Sequence, residues 1–406
     1  NAAGEPAGHA GAPLELPEEA LDVVRRLQDE GKTAMVVACD GRAVGVLGAA
    51  DQLRPDVPQA IRKLKALGIR HMELLTGDNE LVTAYVWRSL GMETSRIVLG
   101  SELARLDALA LERVVEDVDI FARVSPAQKH QIVLALKRRS HSVGFLGDGI
   151  NDAPSLAAAD VGISVINAAD VAREAADVVL LNRHLGMIQT SITEGRLAFA
   201  NILKFLLMET SSNFGNILSM AGAALFLPFL PLLPHQILLN NFLYDLAQIS
   251  IPRDRAEPEL TARPKQWDIR LIRSFMLLVG PISSLFDFLT FFVLLRFFHA
   301  SEMLFHTGWF VESLATQSLV IFVIRTGGAP WRHRPSRLLV VNVLTCVAIG
   351  LLLPYSPVAA TLGFVPLPAP YLLFVAATVA LYLGAVELAK RPLFRRAGLI
   401  AGAAAS

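Results

Sequence analysis

Nearly every long apolar run in this chain lies after residue 196, and that asymmetry limits the possible folds more than any other feature. The chain divides into a half that builds its own soluble core and a half whose runs are long enough to enter a bilayer. The composition agrees, with 53% apolar residues and a mean hydropathy of +0.46 over 406 residues. Lys+Arg 37 against Asp+Glu 37 leaves no net charge, so the basic footprint of a nucleic-acid binder is missing and no nucleic-acid partner is expected. Disorder is excluded by the apolar content. Cys39 and Cys346 stand far apart in unlike settings, which leaves neither a disulfide framework nor a Cys-rich metal cluster. Residues 1–17 are rich in Gly, Ala and Pro, without the basic flank and apolar stretch of a signal peptide, and are read as a cut edge.

Between residues 18 and 190, short β-branched runs (34–38, 43–47, 71–75, 119–121, 142–146, 161–165, 177–181) alternate with amphipathic stretches (57–67, 80–90, 127–138, 153–159). That alternation predicts a parallel sheet with crossover helices. Six apolar stretches follow, at about 201–227, 235–251, 275–298, 309–324, 338–353 and 371–389. Most approach the roughly 20 residues that cross a bilayer. With the soluble half on the cytoplasmic side, residues 253–273, 325–337 and the tail after 389 return to that side, carrying six, four and four Lys or Arg. The opposite loops hold only Arg296. That positive-inside bias predicts a multi-pass plasma-membrane protein whose N-terminal half and C-terminus are cytoplasmic.

Three short motifs carry the chemistry. Thr76-Gly77-Asp78-Asn79 follows an apolar strand and precedes a helix, where a hydroxyl and loop amides favour an anion; a plain turn accounts for Gly-Asp equally well. Arg123-Val124-Ser125-Pro126 leads into a helix with Lys129 in its first turn, a position otherwise usual for a solvated lysine. Gly147-Asp148-Gly149-Ile150-Asn151-Asp152 ends another apolar strand with two carboxylates four residues apart. Carboxylates at the carboxyl end of a strand suit Mg²⁺, which takes a few oxygen ligands together with substrate phosphate. A lone Asp-Gly turn is the bland account of that string, but all three elements arrive in order at successive strand ends.

These residues resemble the phosphorylation domain of P-type cation-transporting ATPases, a haloacid-dehalogenase-like fold, over a stretch from about residue 18 to the end. The resemblance implies an α/β haloacid-dehalogenase-like (Rossmann-like) cytoplasmic domain followed by an all-α bundle of six transmembrane helices. It divides the chain into the edge at 1–17, the end of a nucleotide-binding domain and the return to the phosphorylation domain at 18–50, the phosphorylation domain at 51–195 and the membrane domain at 196–406. It implies ATP and Mg²⁺ as cofactors. Thr76, Gly77, Asp78, Arg123 and Lys129 would handle the phosphate, Asp148 and Asp152 the catalytic Mg²⁺, with Asn151 in support. Covalent catalysis by a carboxylate would split ATP hydrolysis into two steps. The family's phosphorylated Asp-Lys-Thr-Gly string occurs nowhere in the sequence, so the chain is expected to be a C-terminal portion, inactive alone, whose partner is the missing N-terminal part.

Residues 31–75 resemble the heavy-metal branch, including Asp51-Gln52-Leu53-Arg54-Pro55, but that branch has two spans after the phosphorylation domain. The membrane half instead resembles the magnesium-translocating type, in Ser211-Ser212-Asn213-Phe214-Gly215-Asn216, Leu239-Asn240-Asn241-Phe242-Leu243-Tyr244-Asp245, Gly280-Pro281-Ile282-Ser283-Ser284 and Thr307-Gly308-Trp309-Phe310. Polar residues inside spans are costly and usually face a cavity or a partner. Asn213 and Asn216 share a helix face, as do Asn241 and Asp245. The resemblance assigns the transported cation to these four, with helix-to-helix hydrogen bonding as the alternative. Asp287 and Glu312 are weaker candidates. All-oxygen ligands suit Mg²⁺ or Ca²⁺ rather than copper or zinc, while His235 and His306 read as interfacial.

The expected function is ATP-driven Mg²⁺ import. A pump for Ca²⁺ or another divalent cation, a membrane-anchored phosphatase of the same fold and a silent regulatory homologue are the alternatives.

Overall fold

A computed structural model describes residues 17–39, 42–50, 53–69, 71–93, 96–182, 184–257, 261–262, 264–265 and 267–396. Residues 1–16 of the expected edge, and Asp51 and Gln52, lie outside them. The chain forms two compact units, Asn1–Ser191 and Ile192–Ser406, with the division a few residues before the expected 195.

The first unit opens with helix α1 (Glu18–Asp29) and strands β1 (Thr33–Cys39) and β2 (Arg42–Ala49). These strands pair antiparallel, Thr33 opposite Ala49, which corrects the expectation that every strand here joins a parallel sheet. Their connection is too short for the crossover that a parallel pair needs. Then follow α2 (Val57–Ala66), β3 (Leu74–Leu75), α3 (Glu80–Ser89), β4 (Ile97–Leu99), α4 (Gly100–Leu103), α5 (Ala108–Val114), β5 (Ile120–Ala122), α6 (Pro126–Arg138), β6 (Gly144–Leu146), α7 (Ala153–Ala158), β7 (Val161–Val165), α8 (Asp170–Ala175) and β8 (Val178–Leu180).

Among the described residues the parallel strands form two three-stranded pieces, ordered β3-β5-β4 and β6-β7-β8. Ile120, Phe121 and Ala122 of the middle strand β5 are fully buried, as an uninterrupted apolar run covered on both faces should be. Phe121 belongs to a core with Val98, Val115, Ile132 and Ala135. β3 and β6 each pair along one edge only, and each runs directly into a motif loop.

The second unit is helical: α9 (Gly186–Ala223), which begins in the first unit, α10 (Pro234–Gln248), α11 (Ile269–Arg296), α12 (Glu302–Leu319), the short α13 (Ile321–Ile324), α14 (Arg337–Leu352) and α15 (Ala369–Arg396). α12 lies at the centre: every residue from Phe305 to Ser318 is buried. Its Trp309 and Phe310 share a core with Phe291 of α11 and Tyr371 and Val375 of α15. Gly280 and Ser284 bring α11 against α9, where the Ser284 hydroxyl donates to the Gly215 carbonyl at 2.9 Å. A methyl group at Gly215 would lie 3.0 Å from Ser283 Cβ, the close approach that small residues allow between membrane helices.

Four helices among the described residues, not the expected six, are long and apolar enough to cross a membrane: 269–296, 302–324, 337–355 and 369–395. α10 is too short at 15 residues. α9, at 38 residues, has Lys204 at its midpoint and Glu209, Asn213 and Asn216 in its second half. The two helices that fall short are those holding the residues expected to meet a cation. Polarity there lowers the apolar signal.

Candidate functional site

Local chemistry shapes the loop after β3. Asn79 caps α3, its side-chain oxygen accepting from the Leu81 N–H at 2.7 Å. Thr76 Oγ1 accepts from the Asp78 N–H at 3.1 Å and donates to Asp78 Oδ2 at 2.9 Å. The loop after β5 is tied to it, since the Arg123 N–H donates to the Asp78 carbonyl at 3.0 Å and the Val124 N–H to the Thr76 carbonyl at 3.0 Å. Arg123 takes a left-handed backbone, φ 54°, held by that bond. Its guanidinium turns to Glu80, with Nε 2.8 Å from the carboxylate.

α6 starts from a capping box at Ser125 and Gln128 with a proline in its first turn, so its register is set at its first residue. That register carries Lys129 to Asp152, Nζ to Oδ1 2.8 Å, with both side chains largely buried. The other oxygen of Asp152 accepts from the Gly149 N–H at 3.2 Å. Asp152 therefore spends both oxygens inside the protein, whereas Asp148 and Asn151 are exposed. Gly147 allows the tight bend: a Cβ there would fall 2.7 Å from Asp152 Cβ. An ammonium, a hydroxyl and an exposed carboxylate thus stand at the carboxyl ends of β3, β5 and β6. That donor set fits a phosphoryl group with a hard cation, and the free carboxylate is Asp148 rather than Asp152. Among the described residues no group of three or more His, Cys, Asp or Glu gathers as a metal site.

On the far side of this unit, at the amino ends of β3 and β5, a cavity of about 510 Å³ is lined by His71, Glu73, Glu93, Glu116 and Asp119 among others. Burial, and secondarily the Asp119 charge, push the Glu73 carboxyl up to about 8.

In the second unit the four amide and carboxylate residues divide. Asn241 and Asp245 lie exposed on α10, and Asn213 exposed on α9. Asn213 Nδ2 donates to Glu209 Oε1 at 2.6 Å. Asn216 turns inward, its oxygen accepting from Gln317 Nε2 of α12 at 2.9 Å. Helical periodicity does not single out Glu209, although a carboxylate one turn before Asn213 is the signal that would. Asp287 is buried, accepting from Ser219 Oγ at 2.6 Å and Trp309 Nε1 at 2.8 Å, while both oxygens of the buried Glu312 lack a protein donor. His306 reaches the Leu230 carbonyl at 2.7 Å and His235 the Leu362 carbonyl at 3.1 Å, tying loops together.

Residues 9–160 match the family described as haloacid dehalogenase-like hydrolase, and residues 229–391 that described as cation transporting ATPase, C-terminus. A magnesium-transporting ATPase, P-type 1, of Escherichia coli strain K12 is 42% identical over 359 residues, covering 87% of this chain and 40% of that protein. The Salmonella typhimurium strain 14028s protein of the same name is 41% identical over the same shares. A calcium-transporting ATPase of Bacillus subtilis is 38% identical over 224 residues, 54% of this chain and 25% of its own length. The chain thus spans about 40% of the length of its magnesium-transporting relatives. With the α/β unit and the helical unit matched in order, the chain belongs to the P-type cation-transporting ATPases.

Proposed function

We propose that this chain carries the phosphate-handling and ion-binding parts of an ATP-driven pump that imports Mg²⁺ through an aspartyl-phosphate cycle. The Lys129–Asp152 pair, 2.8 Å apart beside the exposed Asp148, carries the reading. A lysine held by one carboxylate of a loop whose other carboxylate stays open is arranged for a phosphate and its cation. Thr76 would hold a phosphate oxygen by its hydroxyl, Lys129 would neutralise the transferring group, and Asp152 would position Lys129. Asp148 would take a Mg²⁺, which when bound offsets the developing negative charge. Gly77, Asp78, Arg123 and Asn151 complete the loops, with Arg123 acting through its hold on the Asp78 carbonyl.

The phosphorylated aspartate would come from a segment outside these 406 residues. The single-edged strands β3 and β6 support this, because a strand added between them would close one continuous parallel sheet. In the membrane unit, the exposed polar faces of α9 and α10 support further helices around the ion path, since Asn213, Asn241 and Asp245 would otherwise meet lipid. The charge bias of the loops supports a plasma-membrane protein with its α/β unit and C-terminus in the cytoplasm.

In the protein translated from the complete reading frame, Asp148→Ala should abolish Mg²⁺-dependent labelling of membranes by ATP radiolabelled at its γ-phosphate. The wild-type gene should also restore growth of a Mg²⁺-import-deficient strain at limiting Mg²⁺. Near-normal labelling of Asp148→Ala would reduce the Gly147–Asp152 loop to a turn.

A further inference from the structure

Asp287 of α11 and Glu312 of α12 meet in the core of the helical unit, 3% and 1% exposed. Asp287 spends one oxygen on Ser219 Oγ of α9 at 2.6 Å and the other on Trp309 Nε1 of α12 at 2.8 Å. Glu312 stands within hydrogen-bonding reach of Asp287, yet neither of its oxygens has a protein donor. Two carboxylates this close and this deeply buried cannot both stay ionised, and they attract only if a hydrogen lies between them. Tyr371 and Tyr382 of α15 also act on the pair, but phenols supply no positive charge. Among the described residues no lysine, arginine or histidine acts on either carboxylate.

A metal ion fits this place poorly. The Trp309 indole can only donate, so it aims a hydrogen rather than a lone pair at Asp287, and Ser219 gives its hydrogen to the same carboxylate. We infer that Asp287 and Glu312 form a proton site where α9, α11 and α12 meet, with one proton carried by Glu312 and shared with Asp287. Three hydrogens then converge on Asp287, from a hydroxyl, an indole and the Glu312 O–H, which stabilises the one negative charge there. Glu312, neutral, leaves its second oxygen unpaired at far lower cost than a carboxylate would. The shared proton is what braces Glu312 to α11. The site does not depend on which residues carry the transported ion, and it removes Asp287 and Glu312 from the candidates for that ion.

Infrared spectra of the full chain in nanodiscs at neutral pH test this, in a Glu73→Gln background that silences the buried acid of the α/β unit. A protonated carboxyl absorbs apart from carboxylates and amides, and its band moves when H₂O is exchanged for D₂O. Glu312→Gln should remove one acid band and leave the melting temperature near its parent, because the amide N–H replaces the O–H as donor to Asp287. Glu312→Met, without a donor, should remove the same band and lower the melting temperature. Asp287→Asn should shift the band and keep it, since the Glu312 O–H then donates to the amide oxygen; loss of the band in that variant would overturn the assignment of the proton to Glu312. An acid region unchanged in Glu312→Gln would show the pair ionised and overturn the inference. So would Mg²⁺ or K⁺ that raises the melting temperature of the parent but not of Glu312→Gln, because a cation would then lie between the carboxylates.

Discussion

Lys129 Nζ lies 2.8 Å from Asp152 Oδ1, so the helix leaving β5 is pinned to the loop leaving β6. Neither residue belongs to the three-stranded piece that holds the other. The pair thus joins the two pieces of sheet at the end where the motif loops gather.

Breaking that pair should loosen the loop before the chemistry is considered. Lys129→Met strands a largely buried carboxylate and Asp152→Asn a largely buried ammonium, and each should cost about 2 kcal/mol locally. Amide hydrogen exchange across 149–158 should quicken in either variant and partly recover in the double variant. Unchanged protection in both singles would show that the pair contributes nothing to joining the pieces.

Glu73 gives the α/β unit a pH dependence of defined sign. Its carboxyl stays protonated in the folded chain up to about 8, against an ordinary 4.5 when unfolded. The folded state therefore binds the extra proton between those values. Stability should fall as pH rises through that window, by at most about 1.4 kcal/mol per pH unit, and level off above it. Glu73→Gln should flatten the slope and be more stable than the parent at pH 8.5. A parent whose urea midpoint for this unit is the same at pH 5 and pH 8 would contradict the assignment.

The buried pair of Arg325 and Asp254 should be among the most sensitive places in the helical unit. Arg325 Nε donates to Asp254 Oδ2 at 2.8 Å and its NH1 to the His333 carbonyl at 2.8 Å, while the Ser336 N–H donates to Asp254 Oδ1 at 3.0 Å. Arg325→Met should destabilise by about 3–5 kcal/mol, because it leaves Asp254 charged and buried. Lys204, 3.8 Å away, offsets only part of this. Arg325→Lys should not restore stability, since an ammonium cannot span both partners as the planar guanidinium does. Wild-type thermostability of Arg325→Lys in detergent would refute this.

Reporter fusions test the direction of the spans. Fusions at Pro335, within the basic connection before α14, should report cytoplasm, and those at Val358, between α14 and α15, the outer side. A cytoplasmic signal at Val358 would remove the proposed orientation.

The alternation of short β-branched runs with amphipathic stretches, and the confinement of long apolar runs to the second half, were enough to place an α/β unit before a helical one. Both are one-dimensional periodicities that burial imposes on any chain. The three motif loops were legible for a related reason: Gly, Asp, Asn and Pro mark strand ends and helix starts through backbone constraints local to a few residues. The division of the sheet into β3-β5-β4 and β6-β7-β8 was not legible, because which strand lies beside which depends on pairing between distant segments. Tertiary structure also decided that Asp152 is consumed by Lys129 while Asp148 stays open, although both carboxylates look alike in the string. It drew Asn216 inward to Gln317 and placed Glu209 between Asn213 and Gln248, contacts across helices that no spacing along one helix specifies. Sequence settled where polar groups enter the apolar half; only packing settled which polar groups meet, because burial selects partners in space and leaves no trace in their order along the chain.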